Sequence, residues 1–172
     1  EELSDVAIAG LEALEECGFP KILDANEPGA VGLAHLPVNA RGGERISTAL
    51  GYLPLADGRS NLAIRCNAQV AELIFEGDRA AGVHLLSGEE IRASEVVVSA
   101  GAYASPGLLM RSGIGPASVL RRLEIPVVVD LPGVGQNLID HPAVSVDLLY
   151  DRAVQPMPVF QVMATFHSSG AD

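Results

Sequence analysis

The stretch EVVVSAGAYASPGLLMRSGIG, residues 95–115, limits the fold of this chain more than any other. Its valine run, Val96, Val97 and Val98, has no polar alternation. That pattern predicts a strand buried on both faces, as in a parallel sheet. The strand ends in Ser99, Ala100 and Gly101. Small residues at the carboxyl edge of a parallel strand leave room for a ligand to approach the backbone. Ser105-Pro106 then predicts a helix start, with Ser105 as the cap and Pro106 at the first helical position. A strand, a small-residue edge and a helix, in that order, predict an α/β arrangement.

The flanking segments add strands of a different kind. In NLAIRCNAQV, residues 61–70, Leu62, Ile64 and Cys66 alternate with polar or small residues, which predicts a strand. AELIFEG and AAGVHLLSG follow, joined through Gly77-Asp78, and EEIRASEVVVSAG comes next. Strands joined by turns this short predict an antiparallel meander. PASVLRRLEI predicts a short helix with basic residues near its end, where the helix dipole favours them. PVVVDLPGVGQNLIDHP reads as a strand and a Gly/Pro-rich turn, and AVSVDLLYD and VFQVMATFHSS as two further strands. Toward the amino end, SDVAIAGLEALEECGFP predicts a helix capped by Ser4 or Asp5 and ended by Gly18 and Pro20. Residues 24–45 are rich in Gly, Pro and Asn and read as a long irregular connection. RISTALGYLPLA reads as a short helix.

Composition narrows the function classes. Hydrophobic residues make up 48% of the 172 positions, so a packed core is expected. Asp and Glu number 22 against 11 Lys and Arg, a formal charge of −11. Nucleic-acid phosphates and anionic membranes require a clustered cationic face, so neither is an expected partner. No apolar run approaches the roughly 18 residues of a transmembrane helix. The acidic start lacks the basic region of a signal peptide, and without an initiator Met it is expected to be a cut end. Cys17 and Cys66 lack C-x-x-C spacing, which argues against zinc, and Cys66 is expected as a buried free thiol. Nothing requires an oxidising compartment, and the cytoplasm is the expected setting.

Few residues suggest chemistry of their own. GVGQNL and GIGPAS imitate a dinucleotide fingerprint but put Leu138 and Ser118 where the third glycine belongs, so both read as tight turns. His35, His84, His141 and His167 have no metal-ligand spacing. His84 falls on a meander strand and is expected to be solvated. His141 follows Asp140, but adjacent residues of an extended segment face opposite ways, which makes it a poor general base. Ser105 lacks the G-x-S-x-G frame of a nucleophile. Asp147 and Asp151 share a face of their strand and read as a solvated pair.

GAYASPGLLMRSGIG resembles the second signature of the glucose–methanol–choline (GMC) oxidoreductases. Its fixed elements correspond here to Ala102, Ser105, Pro106, Leu109 with Met110, and Ser112 followed by Gly113, Ile114 and Gly115. GERISTALGYL, NLAIRCNAQV and PGVGQNLIDHP resemble further stretches of that family, so the likeness covers roughly residues 15–145. It implies an FAD cofactor. It also implies a flavin contact through the backbone of Val70 at the adenine end, and close approach of the cofactor at Ala100 and Gly101. The family's amino-terminal G-x-G-x-x-G unit and its catalytic histidine pair have no counterpart in these residues, so no catalytic residue and no metal site are assigned.

The resemblance therefore implies an internal fragment of a choline dehydrogenase-like, FAD-dependent alcohol oxidoreductase acting on a small alcohol. The alternative is a non-catalytic binding module that keeps the scaffold. The expected fold is α/β with mixed elements: part of an FAD-binding Rossmann-like domain, an antiparallel meander and the start of a substrate-domain sheet. Residues 1–60 would border the substrate domain, 61–142 belong to the FAD-binding domain and 143–172 begin the substrate-binding domain. Open sheet edges would pair with missing segments or with a second copy. These 172 residues alone are expected to bind FAD weakly or not at all and to turn over no substrate.

Overall fold

A computed structural model of the chain describes residues 3–146 and 161–167. It divides into two compact units, one formed by Asn61–Val146 and the other by the residues that flank it.

The flanking unit begins with α1 (Asp5–Glu16). Ser4 adopts the extended conformation of an N-cap, and its hydroxyl accepts from the Ala7 N–H. The helix closes in a Schellman motif: the Gly18 N–H donates to the Glu15 carbonyl and the Phe19 N–H to that of Leu14. Residues 24–45 are more ordered than their composition suggests. They contain β1 (Gly32–His35) and a tight hairpin of β2 (Ala40–Arg41) and β3 (Glu44–Arg45). β1 pairs antiparallel with β9 (Val162–Thr165), from Gly32 opposite Thr165 to His35 opposite Val162. The Thr165 hydroxyl accepts from the Gly32 N–H and donates to the Ala30 carbonyl, across up to 135 positions of sequence. Leu33, only 1% exposed, lies at the heart of this unit. α2 (Thr48–Gly51), capped by Ser47, and a 3-10 turn (Leu53–Ala56) complete it. The strand expected over 143–151 falls largely outside the described residues, as do Asp147 and Asp151; residues 143–146 are not in a strand.

The second unit is built on β4 (Val70–Glu76), β5 (Arg79–Leu85) and β6 (Glu90–Arg92), an antiparallel sheet in sequence order. β4 and β5 join through Gly77-Asp78, as the turn residues predict. The expected strand over 61–70 is absent except for its last residue. Asn67 adopts a left-handed φ of 55°, which a continuous strand does not allow, and Cys66 sits in that turn, exposed rather than buried. Arg65 instead holds this segment to Glu89 through two hydrogen bonds of 2.8 Å. The Arg65 hydrogen bond keeps the Glu89 carboxyl below its ordinary range, although both groups are exposed and the pair adds little stability. His84 is half-buried on β5 with its Nε2 3.6 Å from Glu90, so it is less solvated than expected.

α3 (Gly101–Arg111) starts earlier than Ser105-Pro106 predicts. Ser105 does not cap the helix from outside. It lies within the helix, and its hydroxyl accepts from the Ala100 N–H at 3.0 Å. Pro106 is inside the helix as well. After α3 come β7 (Ile114–Gly115), α4 (Ala117–Arg122) and β8 (Val129–Asp130); β7 and β8 pair in parallel. Leu120, fully buried on α4, and Leu73, Ile74, Leu85 and Leu108 belong to the core of this unit.

Pro116 leaves the amino end of α4 without a side-chain cap of its own. Asp130 supplies one from β8, with Oδ1 accepting from the Ala117 N–H at 2.9 Å. Asp130→Ala is expected to cost about 1 kcal/mol in urea unfolding, and Asp130→Asn, which keeps an acceptor, less than half of that.

Candidate functional site

Residues 96–100 run along one side of a cleft in the second unit. Among the described residues they are in no strand and pair with none. Val97 is 79% exposed and Val96 and Val98 are half-buried, so the valine run is not buried on both faces as expected. Burial of that kind needs ladder neighbours at both edges and helices on both faces, and the described residues provide no ladder neighbour.

The cleft has a volume of about 480 Å³. Val70, Val83 and Val97 give it apolar walls, Ala100 and Ala104 line its α3 side, and Arg111 brings a cation. Val70 is the first residue of β4 and stands opposite Leu85. The structure therefore brings Val70 and Ala100 to one cleft, and Gly101 follows directly as the first residue of α3. Gly101 has a φ of +90°, and a Cβ built on it would meet nothing within 4 Å. Within this chain the glycine is required by backbone conformation, and the space beside it is open.

Ala100 provides no side-chain cap for α3. The first N–H groups of a helix have no partner within it and favour an acceptor or an anion. Apolar walls beside a helix start and a lining cation suit a ligand with both aromatic and anionic parts. FAD fits that description. The cleft itself contains no glycine-rich phosphate turn: residues 132–135 form an ordinary turn, and Gly113 leads into β7.

No group of three or more His, Cys, Asp or Glu side chains among the described residues could hold a metal ion. His141 is fully exposed; Asp140 Oδ1 accepts from its backbone N–H at 2.8 Å and lies 3.9 Å from its Nδ1. No helix among the described residues is long and apolar enough to cross a membrane.

The sequence reading placed Ser112 only as a position of the family signature and gave it no role, and it did not single out Arg111. Arg111 lines the cleft, and its Nε donates to the Ala71 carbonyl at 3.0 Å. Ser112 is buried, accepts from the Leu73 N–H and donates to the Leu108 carbonyl. The available signal was a polar pair at the end of an apolar helix, where solvent exposure is the ordinary expectation.

A segment ending in small residues at the start of a helix, with an apolar cleft beside it, is the usual cofactor position in open α/β sheets. The family model described as GMC oxidoreductase matches residues 4–143, and the chain belongs to that family. It is 47% identical over 140 residues to an oxygen-dependent choline dehydrogenase of Burkholderia ambifaria, covering 77% of this chain and 24% of the relative. Among solved structures, it resembles pyridoxine 4-oxidase from Mesorbium loti with a TM-score of 0.71 and 35% identity, over 76% of this chain and 26% of that one. An FAD-dependent oxidoreductase from Chaetomium thermophilum gives a TM-score of 0.69 and 30% identity, over 77% and 24%. The chain thus spans about a quarter of the length of the relatives it matches. The mixed helices and open sheets are those of an α/β FAD-binding domain, and FAD is the cofactor of this fold.

Proposed function

We propose that this chain is part of an FAD-dependent alcohol oxidoreductase and supplies one wall of its flavin cradle. The observation that carries the reading is the cleft that Val70 and Ala100 share beside the uncapped start of α3. In this reading the backbone of Val70 meets the adenine end of the cofactor, and Ala100 and Gly101 admit it close to the chain. Arg111 contributes positive charge to the same wall. FAD, when bound, accepts the hydride from the alcohol carbon. The proton of the hydroxyl needs a base within about 3 Å, and none of the described histidines is assigned that work.

Two of the similar proteins are named for an alcohol that points to a substrate class. Choline and pyridoxine both carry primary alcohols, so a small primary alcohol is the substrate proposed here. In the same reading residues 61–142 belong to the FAD-binding domain and 143–172 begin the substrate-binding domain, which 1–60 borders. The pairing of β1 with β9 supports grouping the first and last of these segments.

The test is made on the full-length protein. It should purify with flavin absorbance and reduce an artificial electron acceptor with choline or another primary alcohol. A colourless protein that takes up no added FAD would overturn the reading.

A further inference from the structure

We propose that Arg111 and Ser112 are positioning residues that set the cleft by locking the end of α3 to the outer edge of β4. The proposal rests on the flavin reading of that cleft. Among the described residues β4 is an edge strand, bonded to β5 alone. Its ladder is irregular between Val70 and Glu72, where the register shifts. Such a bulge leaves backbone groups unpaired and weakens control of the strand. The two α3 side chains take up groups on either side of Glu72. Arg111 Nε donates to the Ala71 carbonyl at 3.0 Å, and the Leu73 N–H donates to Ser112 Oγ at 2.9 Å.

Ser112 is suited to this because one hydroxyl serves two elements. Its oxygen accepts from Leu73 on β4 while its proton goes to the Leu108 carbonyl on α3, 2.7 Å away. It is 7% exposed, so water does not readily replace either bond. Val70, one residue before the Arg111 contact, stands on one wall, and Ala100 and Ala104 stand on the other. The distance between those walls is therefore held by the contacts at Ala71 and Leu73. Plain packing would hold the elements together but leave β4 free to slide along its bulge.

The experiment compares full-length Ser112→Ala, Ser112→Thr and Arg111→Lys with the unaltered protein. FAD dissociation constants are measured on reconstituted apoprotein, and melting temperatures with and without FAD. Losing either hydrogen bond should raise the FAD dissociation constant about tenfold and shrink the rise in melting temperature that FAD produces. Ser112→Thr keeps the hydroxyl and should restore most of the affinity. Equal lowering of both melting temperatures, with unchanged FAD affinity, would overturn the positioning role and leave the flavin reading intact. An unaltered protein that binds no FAD would overturn both. If Ser112→Ala does not fold, the exposed Arg111→Lys, which keeps the charge but has no Nε–H to give Ala71, decides the matter by the same measurements.

Discussion

Gly113→Ala should destabilise the second unit by about 2–5 kcal/mol, as the sum of overpacking and an unfavourable backbone conformation. Gly113 has a φ of +83°, and an added Cβ would lie 2.5 Å from the Pro126 carbonyl oxygen and 2.7 Å from Val128 Cγ2. The Pro126 carbonyl oxygen is backbone, so it cannot swing aside as a flexible side chain would. The Gly113 carbonyl also accepts from the Val128 and Val129 N–H groups, at 2.8 and 3.1 Å, which anchors β8 beside β7. Any shift that relieves the clash therefore loosens the β7–β8 pair. Urea unfolding of Gly113→Ala beside Gly133→Ala tests this, because a Cβ at Gly133 meets nothing within 4 Å and no unusual φ opposes it. Equal stability of the two variants would show that the turn at Gly113 rearranges freely.

Flavin content of the full-length protein should fall to background in Gly101→Leu. Two effects act together. A leucine at a φ of +90° costs about 1–2 kcal/mol of backbone strain, and its side chain enters the open space at the start of α3 where the cofactor is proposed to lie. Two companions separate the causes. Gly101→Ala imposes the strain with little bulk, and Ala100→Leu adds bulk at an ordinary φ of −87°. Absorbance in the flavin bands per unit of protein should fall strongly in Ala100→Leu and only partly in Gly101→Ala. Unchanged flavin in both leucine variants would remove Ala100 and Gly101 from the cofactor site.

How much was legible in the chain depended on how far apart the interacting residues lie. Ser4 capping, the stop at Gly18 and the Gly77-Asp78 turn of the meander all rest on partners within a few positions, and the structure shows each of them. The family was legible for the same reason. The spacing from Ala102 to Gly115 is a local pattern, and the match over residues 4–143 confirms it.

Longer-range partners decided the rest. β1 looked irregular because the strand that pairs with it lies more than a hundred positions away, with the Gly32–Thr165 contact spanning 133. Alternation over 61–70 was real in sequence but was interrupted by the left-handed Asn67 and by the Arg65–Glu89 pair. α3 starts at Gly101 because the Ser105 hydroxyl reaches back to Ala100, which a motif read residue by residue assigns to a cap instead. The sequence by itself determined the family, the meander and the short helices, because hydrophobic spacing, caps and turn residues act locally. Only the tertiary structure decided that Val70 and Ala100 share a cleft and that Arg111 and Ser112 bond to β4 at Ala71 and Leu73, because those relations depend on backbone groups that the fold brings together and no side-chain pattern records.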